Sequence, residues 1–365
     1  MALSAPRKDG RYRRAVVQPL ASGWQVERFT GTQAFHQNLP EQDLAGALYQ
    51  MLETEFTQLV AQESGWQLRV TQKGKVLTHR MRQPPSAPPA AGHDRPKTRL
   101  LPEGQVVPPL VDMGVMTPEG RVIAAMSGKY RQIDRFLELV HHGMAEETPE
   151  MLRVIDFGCG KSYLTFLLYH YLTNVRGIRT VMTGLDLKEQ VVADCNAAAQ
   201  KYGYEGLSFA VGDIARHHSD HPVDMVVTLH ACDTATDHAL AKAVLWQAQM
   251  IFSVPCCQHQ LNAQMQKGLL PILSRYGIVK ERTAALMTDA VRANLLTACG
   301  YKAQLVEFVD MEHTPKNIMI RACKAGVSPS ARKKALAEVD ELCGAFGFAP
   351  ALRELLREQN ALEGL

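Results

Sequence analysis

Ten residues, Val154-Ile155-Asp156-Phe157-Gly158-Cys159-Gly160-Lys161-Ser162-Tyr163, constrain the fold of this chain more than any others. Residues 154–157 read as a short apolar strand, and two glycines one residue apart then make a tight turn. Beyond it Leu164, Leu167, Leu168 and Tyr171 recur at helical spacing. Strand, glycine-rich loop and helix together open a nucleotide-binding α/β unit. Glycine has no Cβ, so the backbone can turn sharply and a ligand can approach it closely. The plain alternative is an ordinary strand-to-helix turn.

Three ligand classes compete for such a loop. A P-loop requires G-x-x-x-x-G-K-[ST]; Gly160-Lys161-Ser162 meets the second half, but Ile155 stands where the first glycine belongs. A dinucleotide loop requires G-x-G-x-x-G, and Tyr163 occupies the third glycine's place. That loop also cradles a pyrophosphate, which an acid such as Asp156 at the strand's end would repel. An acid there suits a cation without phosphate. S-adenosylmethionine (SAM) carries a sulfonium and an ammonium, so Asp-x-Gly-x-Gly points to SAM.

Strand and helix then alternate. Strands are expected at 154–157, 180–185, 208–211, 224–229 and 250–254, with helices at 163–173, 188–202, 235–249, 262–275 and 288–299. Two late strands, 302–308 and 317–321, are placed as an antiparallel edge. The fold class is α/β: a doubly wound, mostly parallel sheet with an antiparallel edge strand. A helix over 128–140 turns Ile133, Phe136, Leu137 and Val140 inward and precedes the first core strand. Residues 328–362 read as two further helices.

Ligands of such sheets bind at the carboxyl ends of the strands. Asp156, Gly158, Cys159 and Gly160 lie at the first, Asp186 and Leu187 at the second, Asp213 and Ile214 at the third, and His230 at the fourth. A carboxylate after the second strand can accept from both ribose hydroxyls, and one after the third from the adenine amino group. A single Asp is commonly a helix cap; three on successive strands, in order, are harder to explain that way.

His230, Asp233, Cys256, Cys257 and His259 are the candidate catalytic residues on the acceptor side. Three readings stay open. They bind a metal, although adjacent cysteines and a spacing that fits no finger argue against it, and no metal is expected. Cys256 or Cys257 attacks a pyrimidine C6 to activate C5, as a cysteine after the fifth strand does in RNA cytosine-5 methyltransferases. Or the cysteines shape a pocket while a His or Asp removes a proton from the acceptor hydroxyl or nitrogen, which is the preferred reading. Lys129 and Arg131 on the pre-strand helix are candidate substrate contacts, since in such folds that helix often flanks the methionine end of the cofactor; a solvated helix face is the alternative. Lys316 and Asn317, in the loop joining the late strands, could take a phosphate and a base edge, or simply form a turn.

The N-terminal part differs in character. Residues 1–100 hold 14 Lys and Arg against 8 Asp and Glu, while the remainder holds 26 against 29. Short strands over 15–40, an amphipathic helix over 43–60 and a hairpin over 67–78 make a small basic α+β domain at 1–82, its first residues mobile. A Pro/Ala-rich linker follows at 83–98, then the SAM-binding domain at 99–325 and a helical extension at 326–365. A basic segment beside a near-neutral one fits an anionic partner such as RNA, or a solvated surface. No apolar run reaches the length of a membrane span and no apolar signal core opens the chain, so a cytoplasmic location with no membrane contact is expected. The eight cysteines are scattered, and a reducing compartment would keep them as thiols. Oligomeric state is left open.

Taken together, Asp156-Phe157-Gly158-Cys159-Gly160-Lys161-Ser162, Leu229-His230-Ala231-Cys232-Asp233-Thr234-Ala235-Thr236-Asp237 and Pro255-Cys256-Cys257-Gln258-His259 resemble the signatures of a class I SAM-dependent methyltransferase-domain family with bacterial members. They are also similar to the eukaryotic tRNA acceptor-stem 2′-O-methyltransferases, which carry H-x-C-G-x-A-T-D and C-C-H-H elements. The resemblance spans about residues 125–325. It implies a Rossmann-like core, SAM as methyl donor, and His230, Asp237 and Cys256/Cys257 as signature positions. Asp233 stands where the tRNA enzymes have Gly, Gln258 where they have the first His, and their zinc-finger modules are missing. The expected activity is methyl transfer to RNA, on a ribose oxygen or a base. The alternatives are a small-molecule or protein methyltransferase whose N-terminal domain is a lid or docking module, and a non-catalytic SAM-binding protein.

Overall fold

The computed structural model of the 365-residue chain describes residues 1–8, 10–20, 22–31, 33–63, 66–71, 73–80, 99–144, 149–229, 231–265, 271–308 and 317–364. The linker stretch 83–98, His230 and Lys316 lie outside the described residues. Two compact units result, Met1–Lys97 and Thr98–Leu365.

In the first unit, alternating apolar residues bury Ala15, Val17 and Val26 on one face of an antiparallel sheet. Its elements are β1 (Ala2–Pro6), β2 (Arg14–Leu20), β3 (Gly23–Phe29), β4 (Ala34–Leu39), helix α1 (Leu44–Thr54), β5 (Phe56–Glu63), β6 (Trp66–Val70) and β7 (Val76–Arg80). The strand order is β4-β3-β2-β1-β5-β6-β7. The expected hairpin is β6–β7, with Val70 opposite Val76. The expected helix over 43–60 ends instead at Thr54. Phe56 and Leu59 pass to β5, where they pair with Pro6 and Leu3. Nor is the start of the chain a mobile tail: β1 is the middle strand, and the Met1 amino group donates to the Val17 carbonyl at 2.8 Å. Pairing partners remote in sequence decide both points, and no local periodicity reports them.

The second unit runs α2 (Pro108–Asp112), α3 (Ser127–Gly143), β8 (Met151–Phe157), α4 (Tyr163–His170), β9 (Arg179–Asp186), α5 (Glu189–Lys201), β10 (Leu207–Val211), β11 (Met225–Thr228), α6 (Thr234–Leu245), β12 (Met250–Ser253), α7 (His259–Gln264), α8 (Pro271–Arg275), α9 (Gly277–Ala298), β13 (Tyr301–Glu307), β14 (Ile318–Lys324), α10 (Pro329–Phe346) and α11 (Ala351–Glu358). The sheet order is β10-β9-β8-β11-β12-β14-β13. The strands β8 to β12 are parallel, and β14 runs antiparallel to both its neighbours. The antiparallel strand therefore sits one place in from the edge, and β13 forms the edge itself. The order reverses between β8 and β11, the switch point at which ligands of open α/β sheets bind.

Both faces of the sheet are buried, because alternate residues feed two cores. Leu152, Val154, Met225, Val227 and Phe252 pack with residues of α3, α4 and α5. Ile155, Phe157, Val226 and Ile251 pack with α6, α9, α10 and α11. Leu352 and Leu356 of α11 are fully buried there, each contributing about 1.5–3 kcal/mol. The C-terminal helices, separated as an extension in the sequence reading, thus share the core of the sheet. No helix among the described residues is long and apolar enough to cross a membrane.

Candidate active site

The glycine loop is held from its side. Gly158 (φ 67°) and Gly160 (φ 52°) take the left-handed conformation that glycine adopts without penalty. The N–H groups of Gly158 and Cys159 donate to the Leu185 carbonyl at 2.8 and 3.1 Å. Asp186 completes the tie: its Oδ2 accepts from the Gly160 N–H at 2.9 Å, and its Oδ1 from the Lys188 N–H at 3.0 Å. A carboxylate has about four acceptor sites, so each oxygen retains capacity for a ligand hydroxyl. Register carries the line onward, with Val211 opposite Asp186 and the Gly212 N–H donating to the Asp186 carbonyl at 3.0 Å. Asp213, next along, is exposed, and its Oδ1 accepts from the Ala215 N–H at 2.9 Å. Leu187 is 72% exposed beside Asp186, while Ile214 packs against the second core.

Two of the expected cofactor residues take other positions. Asp156 has no exposed surface: its Oδ2 accepts from the Thr165 hydroxyl, and its Oδ1 has no partner. Burial pushes its carboxyl up to about 7, with Thr165 opposing the shift and the charge of Asp186 adding to it. The Cys159 side chain packs into the first core, and burial raises its thiol to about 12. Its contribution to the loop is its backbone. On the far side of the loop, Lys129 of α3 holds its Nζ 5.5 Å from the Tyr163 ring centroid at the start of α4. Arg131 is exposed on the same helix.

The acceptor side grows from the neighbouring ends of β11 and β12, which are in register from Met225–Met250 to Thr228–Ser253. The chain after β11 bends at Asp233 (φ 51°, ψ −121°), a conformation that favours glycine. The surroundings hold it: Asp233 Oδ1 accepts from the Gln260 N–H at 3.1 Å, and its carbonyl accepts from Arg292 Nη2 at 2.8 Å. Arg292 is 1% exposed and grips Asp237 with two hydrogen bonds of 2.8 and 2.9 Å. It also lies 3.4 Å from Asp289, which accepts from Gln258 Nε2 at 3.4 Å. Burial works against the charge of Arg292, but Asp237 and Asp289 outweigh it and raise its pKa. The sequence reading missed this clamp. Its signal was a charged pair, Asp289 and Arg292, set in the apolar stripe that continues to Leu295 and Leu296.

Three cysteines meet beside that bend. Cys256 Sγ lies 3.1 Å from Cys232 Sγ and 3.6 Å from Cys257 Sγ. Cys256 is half-buried, and burial, together with Cys232 and Cys257, pushes its thiol up to about 12. A thiol so raised is a poor attacking nucleophile at neutral pH, which counts against the covalent reading for Cys256. His259 is exposed at the start of α7. A cavity of about 280 Å³ opens next to Pro255 and Gln258, walled by α9 and by Glu307, Asn317 and Ile318. Asn317 is 4% exposed. The lining holds three acids, Glu281, Asp289 and Glu307, and one base, Arg282, so its charged groups are more acidic than basic.

Residues 128–264 match the family model Methyltransf_32, described as a methyltransferase domain. No curated protein matches the chain. Among solved structures, the chain is similar to coclaurine N-methyltransferase at 13% identity, over 33% of this chain and 35% of that one, with a TM-score of 0.26. It is similar to Aeropyrum pernix fibrillarin at 12% identity, over 72% and 97%, with a TM-score of 0.32. It is similar also to magnesium protoporphyrin IX methyltransferase from Synechocystis PCC 6803 at 16% identity, over 62% and 88%, with a TM-score of 0.33. The chain thus spans about a third of the coclaurine enzyme's length.

Proposed function

We propose, on the premise that residues 128–264 are a methyltransferase domain, that the chain is a SAM-dependent methyltransferase acting on RNA. The observation that carries the cofactor reading is Asp186, a half-buried carboxylate bonded to the glycine loop through the Gly160 N–H. It stands between the acids of the two flanking strands. In this reading Asp186 accepts from the ribose hydroxyls, and Asp213 and Leu187 border the adenine. Gly158 and Gly160 give the methionine portion close access to the backbone. Asp156 is enclosed beneath the loop, so it favours a cationic group there through its charge rather than by direct contact.

SAM supplies an activated methyl group and a neutral sulfur leaving group. The chain's own residues orient the acceptor in line with the C–S bond and accept its proton. Asp233, His259 and His230 are the candidate bases. The cysteines shape the wall between the strand ends. Arg292 holds the Asp233 bend and, through Asp289, lies next to Gln258, so the acceptor side is preorganised from beneath.

The RNA reading is supported by the first unit. Arg11, Arg13 and Arg14 are exposed, and three rings interleave with the arginines. The Arg11 guanidinium lies 4.8 Å from the Phe35 centroid, that of Arg14 4.5 Å from Phe29, and that of Arg28 5.9 Å from Tyr12. Cations among half-exposed rings suit a phosphate backbone with unstacked bases. Replacing Arg11, Arg13 and Arg14 with Ala should weaken RNA retention in filter binding about tenfold or more. It should also flatten the salt dependence by about two in log–log slope, from about 0.7 for each lost phosphate contact. Affinity and slope equal to the parent's would remove RNA from this face.

A second reading is a small-molecule acceptor, favoured by the acidic 280 Å³ cavity beside Gln258. Nuclease treatment of a methyl-accepting cell extract separates the two: an RNA acceptor disappears and a small one survives.

A further inference from the structure

Cys232, Cys256 and Cys257 come from two different loops, yet their Sγ atoms all lie within 4.8 Å of one another. The parallel ends of β11 and β12 bring the loops side by side. Adjacency in sequence disfavoured Cys256 and Cys257 as joint ligands, but in the fold both turn toward the same point, 3.6 Å apart. We propose that these three thiols form a binding site for a thiophilic divalent cation, Zn²⁺ in the first instance, with its fourth position open.

The donor set argues for the metal class. Three sulfurs with no carboxylate among them select zinc over magnesium or calcium. Sulfurs bound to a tetrahedral zinc at about 2.3 Å stand about 3.8 Å apart. The separations here, 3.1 and 3.6 Å with the third within 4.8 Å, lie within about 1 Å of that value. The loop carrying Cys232 is fixed before any ion arrives. The Ala231 carbonyl accepts from the Thr236 hydroxyl at 2.7 Å, the Cys232 carbonyl from the Ala235 N–H at 3.0 Å, and Asp233 is held by Gln260 and Arg292. That bracing accounts for a non-glycine residue tolerating φ 51° next to Cys232. Cys232 is exposed, so an ion has a path from solvent. Each thiol gives its proton to solvent as its sulfur–metal bond forms. With three protein ligands, one position remains for water or for an acceptor heteroatom, as in zinc sites that do chemistry. The site is independent of the methyl-transfer reading, because its readout is metal content and spectrum.

The test uses the full chain, reduced, stripped with a chelator and titrated with Co²⁺ and then Zn²⁺. One Co²⁺ per chain should bind with a thiolate charge-transfer band and tetrahedral visible absorption, and Zn²⁺ should displace it. Cys232→Ser and Cys257→Ser should each weaken binding at least about tenfold, whereas Cys299→Ser should leave it unchanged. Saturating Zn²⁺ should also protect three thiols of the unmutated chain from a thiol reagent, a readout that needs no variant to fold. Absence of the charge-transfer band, or a band that persists in Cys232→Ser and Cys257→Ser, overturns the site. So does a chain that binds no metal and forms a Cys232–Cys256 disulfide on mild oxidation, which would make these thiols a redox pair.

Discussion

Asp156 shows how one buried carboxyl can link ligand binding to pH. Its ordinary value of 3.8 is moved to about 7, chiefly by burial. Below about pH 4 it is protonated whether the chain is folded or unfolded, and it costs nothing. Between about pH 4 and 7 the unfolded chain ionises while the folded one does not, so its contribution to stability declines and stays low above 7. A cationic ligand favours the ionised form, so its binding expels a proton below about pH 7. SAM affinity should therefore rise by about tenfold per pH unit up to about 7 and level off above it. Asp156→Asn should flatten that profile in titration calorimetry; the same pH slope in the variant would show that Asp156 takes no part. The identity of this residue was visible in the Asp-x-Gly-x-Gly pattern. Its enclosure was not, because burial depends on Thr165 and the helix above it.

At the scale of elements, the clamp of α9 on α6 is the feature with the largest energetic stake. Removing one member of a buried ion pair strands the other, at a cost of about 3–5 kcal/mol. Asp237→Ala should lower unfolding free energy by roughly that amount in urea denaturation. The double change Asp237→Leu with Arg292→Met should recover part of the loss, since it removes both members of the closest pair and leaves Asp289 its hydrogen bond from Gln258. Additive losses in the double variant would mean that the two residues act separately. Helix and strand existence in the second unit was readable from alternating apolar periods. The failures were specific. Helix α9 begins at Gly277, well before the expected 288, because its early apolar residues do not keep to one buried face: Ile278 and Leu286 are exposed, and Leu286 lines the cavity. Strand β1 was invisible because five residues, Ala2 to Pro6, show no pattern until β2 and β5 flank them.

For the whole molecule, the order of strands explains why distant residues form one rim. Asp156, Asp186 and Asp213 are about thirty residues apart in sequence, yet parallel pairing sets them at adjacent strand ends, and the reversal beside β8 opens the crevice there. The acids, the glycines and the two cysteine loops could be found in sequence because each follows a strand directly. Arg292, Asp289 and the meeting of Cys232 with Cys256 could not, since tertiary packing alone creates them. The central claim is that the carboxyl ends of β8, β9 and β10 hold SAM, and titration calorimetry of SAM into the full chain tests it most directly. One molecule should bind, and Asp186→Ala should weaken it by about 1–3 kcal/mol through lost charged hydrogen bonds. Absence of binding in the unmutated chain, or equal affinity in Asp186→Ala, would contradict the assignment.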